Sequence, residues 1–221
     1  LIKRKLPSDE ELLMLTAVAR EEGISTKELR IKLQPAAYIP ATMRPKSAHL
    51  AKEYSILEKK GLEVPVLQAL QIIDKDIERL RVSVVGGAHI EIKKKDQNFM
   101  PAGLFGDAIN KVLNIVLKLV NNSSSILLID EIENGIHHTN QQSFWKFIFE
   151  LAKQFSVQIF ATTHSLEMMQ AFASAATENA AISSAYIELF RRPLTNEIDF
   201  NAHSPQTLHF EITNKMPVRG E

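Results

Sequence analysis

The sequence predicts an α/β protein in which short parallel strands alternate with helices. Two mainly apolar segments, residues 126–130 and 157–162, have the length and composition of strands buried on both faces. Segments with helical spacing of apolar residues follow them, at 139–154 and at 165–176. Because a helical crossover returns the chain to a parallel neighbour, we expect the two strands to belong to one sheet.

The composition narrows the class of protein. The 221 residues are 45% hydrophobic, which is enough for one sizeable core. Lys+Arg and Asp+Glu both total 26, so the zero net charge gives no general attraction for nucleic acid or an anionic membrane. The lack of cysteine excludes disulfides and thiolate metal sites and favours a cytoplasmic protein. No apolar run approaches the roughly 20 residues that a membrane-spanning helix needs.

The segment that begins at residue 8 predicts a helix. Ser8 and Glu11 have the spacing of a capping box, and the following apolar residues continue to a helix stop at Gly23. The next stretch, LRIKL, follows a second Ser-x-x-Glu pattern that begins at Ser25. Its alternation suits a strand equally well, so helix and strand both remain open there.

Prolines then interrupt the chain before two more helices. Three prolines within residues 35–45 predict an extended linker. Residues 46–60 and 65–80 have the pattern of charged amphipathic helices. The predicted organisation is therefore a mainly helical insertion or lid over residues 1–80 and a second unit over residues 81–221.

The second unit begins with a hairpin pattern and a long helix. The stretch LRVSVVGGAHIEIKKK alternates around Gly86-Gly87, as a β-hairpin does. Apolar residues within 103–122 recur at helical spacing. Near the C-terminus, AYIELFRR and NEIDFNA predict a closing hairpin, and Ser204 is expected to cap a last short helix.

The two predicted parallel strands end in residues that can take part in chemistry. Asp130 and Glu131 follow the first strand, and Thr163 and His164 follow the second. Because ligands bind beyond the carboxyl ends of parallel strands, we expect these residues to share one rim. An apolar strand followed by Asp has the general form of a Walker B motif, whose Asp holds Mg²⁺ while the next Glu polarises a water. A solvated acidic turn is the plain alternative.

The stretches ILLIDEIENGIHH and VQIFATTHSLEMM together resemble the C-terminal half of an ABC/SMC-type ATPase head, with a P-loop NTPase-like fold. The pattern resembles that of the AAA-15/AAA-21 group of the OLD-like (overcoming lysogenization defect) ATPases, closely over residues 103–169 and more weakly to the C-terminus. The resemblance implies ATP and Mg²⁺ as cofactors and a homodimer with composite ATP sites. It also implies DNA-related or phage-defence processes and a DNA or effector (nuclease or toxin) partner. Residues 81–221 would then be the ATPase C-terminal lobe.

The resemblance assigns roles to individual residues. It matches Asp130 to the Walker B metal ligand and Glu131 to the catalytic glutamate. His164 matches the switch histidine, which senses the γ-phosphate. The D-loop, which crosses to a partner subunit, falls at Asn134, Gly135 and His137.

The stretch MPAGLFGDAIN lies where these ATPases carry their signature motif. Gly103, Gly106 and Asp107 open a helix, and a helix N-terminus can receive a phosphate. In the family that phosphate belongs to ATP on the other subunit. The transporter-like Ser-Gly-Gly core is absent, and Ala108 replaces the last Gly of the Leu-Gly-Asp-Gly variant. A simple helix cap is the alternative.

A Walker A motif, Gly-x₄-Gly-Lys-Ser/Thr, is absent because none of the eight glycines is followed by Lys. The chain is therefore expected to be a fragment whose partner is a missing N-terminal Walker A lobe, or a degenerate subunit. The start at Leu1 and the intact Asp130, Glu131 and His164 favour the fragment. Alone, the chain is expected to bind ATP weakly and to be nearly inactive.

Two other functions remain open. A metal-dependent nuclease or phosphohydrolase could use Asp130, Glu131, Glu133 and the histidines directly, but no second carboxylate cluster follows a comparable strand. A regulatory subunit could have kept the fold and lost nucleotide affinity. The adjacent His137 and His138 make a poor zinc chelate, because neighbouring side chains point in different directions. The basic EIKKKDQ segment is interpreted as a solvated face, with DNA contact as the minority alternative.

Overall fold

The computed structural model describes residues 2–5, 11–20, 23–32, 35–42, 45–179, 182–216 and 218, the first three ranges as backbone alone. In chain order the strands are β1 (Ile2–Lys5), β2 (Glu11–Arg20), β3 (Gly23–Lys32), β4 (Ala36–Ile39), β5 (Ile77–Ser83), β6 (His89–Lys94), β7 (Met100–Pro101), β8 (Ile126–Ile129), β9 (Gln158–Ala161), β10 (Tyr186–Arg191) and β11 (Ile198–His203). The helices are α1 (Ser47–Lys60), α2 (Val64–Ile73), α3 (Gly106–Asn121), α4 (His138–Phe155), α5 (Leu166–Glu178) and α6 (Pro205–Thr213). A 3-10 turn at Ala102–Phe105 precedes α3.

The parallel sheet has three strands in the order β4–β8–β9. Ile129 at the end of β8 lies opposite Ile39 of β4 and Ala161 of β9, so the three strands end level with one another. The predicted parallel pairing of the strands at 126–130 and 157–162 is confirmed, with ends that differ by one residue. The other described strands form the antiparallel sheets β1–β2–β3, β5–β6–β7 and β10–β11.

Helix α3 lies in the main hydrophobic core. Nine of its 16 residues are buried, because apolar side chains cover most of its circumference. Helices α1, α2 and α4 pack against it, as do strands β4 and β8. An ion pair between Glu53 and Lys118 also joins α1 to α3. The helices of the predicted insertion therefore share one core with the parallel sheet.

The predicted helix from Glu11 to Gly23 is wrong. Residues Glu11–Arg20 form β2, which pairs antiparallel with β1 and β3. Apolar residues occupy seven of the ten positions of ELLMLTAVAR, so a period of 3.6 and a period of 2 fit it equally well. Pairing with neighbouring strands then decides the conformation. The capping-box residue Ser8 lies outside the described residues. The LRIKL stretch, for which helix and strand were both open, belongs mostly to strand β3.

The predicted extended linker is also wrong in part. Residues Ala36–Ile39 form β4, which is hydrogen-bonded in parallel to β8. Pro35 and Pro40 lie just outside this strand, where a missing amide proton costs no sheet hydrogen bond. The prolines therefore bound a short strand within the sheet.

The second predicted insertion helix ends earlier than expected. Helix α2 stops at Ile73, and strand β5 begins at Ile77, because a turn intervenes in which Asp74 Oδ1 accepts a hydrogen bond from the Asp76 amide, 3.1 Å away. The described part of residues 1–80 consequently contains four strands and part of a fifth as well as two helices. The division of function at residue 80 stays a prediction, although β5 runs across it.

Several other local predictions are confirmed. The β5–β6 hairpin turns at Gly86 and Gly87, whose φ angles of +73° and +108° suit glycine. The β10–β11 hairpin is present, and Ser204 caps α6 by accepting a hydrogen bond from the amide of Thr207, 3.1 Å away. Within the described ranges, no helix has both the length and the apolar character needed to cross a membrane.

Candidate functional site

The acidic turn, residues 130–136, leaves strand β8 at the carboxyl end of the parallel sheet. The Asp130 amide donates to the Ile39 carbonyl at 2.9 Å, and the Ile132 amide donates to the Thr162 carbonyl at 3.0 Å. The turn is therefore hydrogen-bonded to both neighbouring chain segments. It then folds back on itself, with the Asn134 amide donating to the Glu131 carbonyl at 3.1 Å. These bonds hold the two predicted active-site carboxylates at the rim of the sheet.

Thr162 joins the acidic turn to the end of β9 through its hydroxyl. Oγ1 donates to Asp130 Oδ1 at 2.6 Å and accepts a hydrogen bond from the Glu131 amide at 2.9 Å. One hydroxyl therefore orients the first carboxylate and fixes the backbone of the second. Because Thr162 directly follows β9, the two strand ends cannot separate without breaking both bonds.

Glu131 has an unusual backbone conformation for a residue with a side chain. Its φ angle is +46°, in the left-handed region that costs L-residues roughly 1–2 kcal/mol. Its carboxylate Oε2 accepts a hydrogen bond from Asn134 Nδ2 at 2.7 Å. Strained backbone at non-glycine residues is concentrated at functional sites. The conformation supports Glu131 as a candidate for chemistry.

His164 lies at the same rim. Its backbone amide donates to Glu133 Oε1 at 2.8 Å, and its side chain is exposed. The next residue, Ser165, caps α5 by accepting a hydrogen bond from the Met168 amide at 3.2 Å. The predicted convergence of Asp130, Glu131 and the segment that ends in His164 is therefore present in the structure.

Lys111 of α3 contacts the acidic turn from the side of the core. Its Nζ donates to the Asp130 carbonyl at 2.9 Å. Burial lowers the pKa of the Lys111 ammonium, and the nearby carboxylates of Asp130, Glu131 and Glu133 oppose that change. The lysine thus places one positive charge beside three carboxylates.

The predicted signature segment forms the 3-10 turn and the start of α3. Gly103, Gly106 and Asp107 are all exposed, and Gly106 has a φ angle of +84°. Asn110 Nδ2 donates to the Gly106 carbonyl at 2.6 Å, one helical turn back. An acid in the first turn, here Asp107, stabilises the N-terminus of the helix itself. The segment therefore presents its backbone on the surface.

The predicted D-loop packs against that helix start. Gly135 has a φ angle of +79°, and a Cβ added there would lie 2.8 Å from the Ala108 amide nitrogen. Only glycine allows this approach of two backbones. Asn134 is half-buried, and its Nδ2 lies 3.4 Å from the Ala41 carbonyl oxygen as well as bonding Glu131. The structure thus brings the predicted D-loop and signature segment into contact.

His137 caps helix α4 rather than pointing into a shared metal site. Its Nδ1 lies 3.5 Å from the Thr139 amide nitrogen and 2.9 Å from the Thr139 hydroxyl. The His137 and His138 rings lie 4.2 Å apart, centroid to centroid. Over the described ranges there is no group of three or more His, Cys, Asp or Glu side chains that could hold a metal. This arrangement agrees with the interpretation of the pair as a polar turn.

The basic EIKKKDQ segment is largely neutralised by local acids. Lys94 pairs with Asp74 at 2.7 Å, and Lys93 lies 3.8 Å from Glu78. Arg81 of the neighbouring strand β5 pairs with Glu91 at 2.7 Å and stacks on Phe99. These pairs favour the solvated face over a DNA contact.

Three residues that form hydrogen bonds within the site were not predicted from the sequence to do so. Thr162 and Lys111 were not considered, and Glu133 was interpreted as an acid of the turn before a helix, with a metal ligand as the alternative. A signal existed for two of them, because Glu133 and Thr162 belong to the quoted stretches on which the resemblance rests. Lys111 had none, because a lysine within a helical pattern is normally solvated.

The parallel sheet with its flanking helices is an α/β fold of the P-loop NTPase-like class, as found in ABC/SMC-like ATPases. Residues 43–169, more than half of the chain, match the family model of the AAA ATPase domain (AAA_15), and the chain belongs to this family. The family assignment agrees with the resemblance on which the predicted site residues rest.

Known proteins that are similar to the chain agree with this class. An ATP/GTP phosphatase of Helicobacter pylori is 27% identical over 145 residues, which are 63% of this chain and 39% of that protein. The chain therefore spans well under half of that relative.

Two solved structures share the fold at low identity. One belongs to a study of the ATP-driven dimerization and DNA-stimulated activation of SMC ATPases; its TM-score is 0.51 at 12% identity, over 76% of this chain and 99% of that one. The other is an SMC head bound to the C-winged helix domain of ScpA; its TM-score is 0.53 at 13% identity, over 90% of this chain and 70% of that one.

Proposed function

We propose that the chain is the signature and Walker B lobe of an OLD-like ABC-type ATPase that hydrolyses ATP with Mg²⁺. The observation that supports this most directly is the shared rim, where Thr162 bonds both Asp130 and Glu131 and Glu133 bonds His164. The AAA ATPase family supports the reaction class. The proposal concerns the complete head, of which this chain supplies one part.

The rim suits a Mg²⁺ ion that arrives with a nucleotide. In such sites Mg²⁺ takes one or two carboxylates and completes its octahedron with phosphate oxygens and water. The half-buried Asp130 carboxylate has one oxygen, Oδ1, committed to the Thr162 hydroxyl. That bond orients the carboxylate toward the rim. When bound, the ion would neutralise phosphate charge during transfer.

Glu131 is assigned the role of general base for the attacking water. Its Oε2 is held by Asn134, which leaves Oε1 to accept a proton from that water. The left-handed backbone of Glu131 and the Thr162 hydroxyl fix where the side chain begins. His164, exposed three residues beyond the end of β9, is assigned contact with the γ-phosphate. These roles need the three groups within a few ångströms of one phosphate.

A Walker A lobe must complete the site. An exposed apolar row on one face of the parallel sheet supports the proposal that this lobe is missing from the chain. Tyr38, Leu128 and Phe160 lie in one row across the three strands and are 59%, 38% and 49% exposed. Parallel sheets are normally covered on both faces. We propose that the element carrying the Walker A motif covers this row.

The exposed signature segment and D-loop are proposed to meet a second copy of the head across ATP. Gly103, Gly106 and Asp107 would then face ATP bound to the partner, and Gly135 and His137 would lie beside them. The similar SMC ATPases, described by ATP-driven dimerization, DNA stimulation and ScpA binding, make a DNA or effector partner and a DNA-related or phage-defence role part of this proposal.

The experiment compares the chain alone with the chain complemented by a Walker A-bearing segment, supplied in the same polypeptide or in trans. Labelled ATP is titrated and Mg²⁺-dependent phosphate release is measured. We expect weak binding and little turnover alone, and turnover after complementation. Micromolar affinity with turnover by the isolated chain would refute the need for a missing lobe.

Glu131→Gln in the complemented protein separates an ATPase from a nuclease. In an ATPase the variant keeps ATP bound and stabilises the dimer, because binding survives while the base is lost. In a metal-dependent nuclease it abolishes nucleic-acid cleavage whether or not ATP is present. Unchanged ATP turnover in the variant would remove Glu131 from the proposed role.

A further inference from the structure

Glu133 is a turn acid that the proposed reaction leaves without a role. Its Oε1 accepts a hydrogen bond from the His164 amide at 2.8 Å, across 31 residues of chain. A bond from a neutral amide to a carboxylate is charge-assisted and stronger than an ordinary backbone bond. Glu133 therefore contacts the backbone of the residue that the proposal places on the γ-phosphate.

The bond continues the sheet beyond the point where its backbone pairing stops. The Thr162 amide donates to the Ile129 carbonyl, and the Ile132 amide donates to the Thr162 carbonyl. Past Thr162 the next bond between the two segments is made by a side chain, that of Glu133. The carboxylate thus takes the place of the carbonyl that a longer β8 would have offered to His164.

The burial of Glu133 indicates a fixed side chain. The residue is half-buried, and its second oxygen, Oε2, is inaccessible and accepts no hydrogen bond. Removing a carboxylate oxygen from water without a partner is unfavourable, and a freely solvated turn acid would avoid it. The ammonium of Lys111 lies close enough for Glu133 to influence its pKa, which partly offsets that cost. The side chain is therefore held in place between the acidic turn and His164.

We propose that Glu133 is a positioning residue that fixes the His164 backbone, and with it the imidazole, relative to Glu131. The inference rests on the proposed function, because it matters for hydrolysis only if His164 contacts the γ-phosphate. Glu131 and Glu133 leave the same turn two residues apart, so a movement of the turn shifts the base and the histidine together. The carboxylate of Glu133 then needs no contact with nucleotide.

The test measures hydrogen exchange of individual amides in the 221-residue chain by NMR, for Glu133→Ala, Glu133→Gln and a control, Glu58→Ala. Glu58 is exposed on α1 and far along the chain from the rim. We expect the His164 amide to exchange roughly tenfold faster in Glu133→Ala, since a bond to a charged group is lost. Gln keeps an acceptor oxygen and should restore much of the protection, while the control leaves it unchanged.

The second measurement is ATP turnover of the same variants in the complemented protein. A small displacement of a positioned group can cost up to about a hundredfold in rate. We expect Glu133→Ala to lower kcat by roughly ten- to a hundredfold with little change in KM, and Glu133→Gln to recover part of it.

The two measurements distinguish failure of the positioning role from failure of the proposed function. Unchanged His164 exchange in Glu133→Ala would overturn the positioning itself. Faster exchange with unchanged kcat would overturn its importance for hydrolysis. A wild-type complemented protein without ATPase activity would refute the proposed function, and with it the catalytic half of this inference, while the exchange result still decides the geometry.

Discussion

Gly135→Ala should destabilise the chain more than any other exposed glycine replacement in a left-handed turn. The added Cβ would lie 2.8 Å from the Ala108 nitrogen and 3.1 Å from the Asp107 carbonyl carbon, both of them backbone atoms. A backbone neighbour cannot rotate away as a side chain can, so the acidic turn and α3 must separate. Overpacking of this kind costs roughly 1–3 kcal/mol.

A second cost comes from the backbone angle. At φ +79° an alanine adds roughly 1–2 kcal/mol of left-handed strain. The two costs together predict a loss of about 2–5 kcal/mol in the free energy of unfolding. For a chain of this length, each kcal/mol lowers Tm by roughly 2–4 °C.

Gly61→Ala is the matched control. Gly61 has a similar φ of +66°, but an added Cβ there meets no atom within 4 Å. Urea unfolding and calorimetry of both variants therefore isolate the contact with α3 from the strain. If Gly135→Ala were no less stable than Gly61→Ala, the close packing of the acidic turn on α3 would be refuted.

Two further predictions concern the rim and the core. Thr162→Val removes the hydroxyl bonds to Asp130 and to the Glu131 amide. It should lower the free energy of unfolding, measured in urea, by roughly 1–3 kcal/mol and should speed hydrogen exchange of the Glu131 amide. Unchanged exchange of that amide would contradict the bond. Burial, reinforced by Glu58 and Glu63, raises the pKa of Tyr54 to about 12. Because the pKa of Tyr54 in the folded chain exceeds its unfolded value near 10, the protonated phenol contributes stability that is fully present below pH 10 and is lost as the pH rises toward 12. Tyr54→Phe should therefore flatten the fall in stability between pH 10 and 12, and an unchanged slope would argue against the shift.

The site depends on contacts between segments that are distant along the chain. Thr162 and Glu133 each bond across about thirty residues, and Lys111 bonds across 19. Each contact joins a strand end or helix to the acidic turn. A substitution at any of the three residues should alter the rim without touching nucleotide.

Local patterns along the chain were sufficient for the helices and strands between residues 106 and 178. The helices have a clear period of apolar residues, the strands are short and mainly apolar, and a cap or polar stop lies nearby, as at Ser165 before α5 and at Asp130 after β8. The shared rim also followed, because parallel strands joined by one crossover end on the same side. These features depend on residues that are near one another in sequence.

The strand identities of Glu11–Arg20 and Ala36–Ile39 were decided only by pairing in three dimensions. The first is apolar at seven of its ten positions, and the second is a four-residue segment between prolines, so neither has a distinctive period. The bond from Glu133 to His164 and the approach of Gly135 to Ala108 likewise depend on how the acidic turn folds back. The sequence shows which residues are able to make such contacts, but the path of the backbone in the folded chain determines which contacts form.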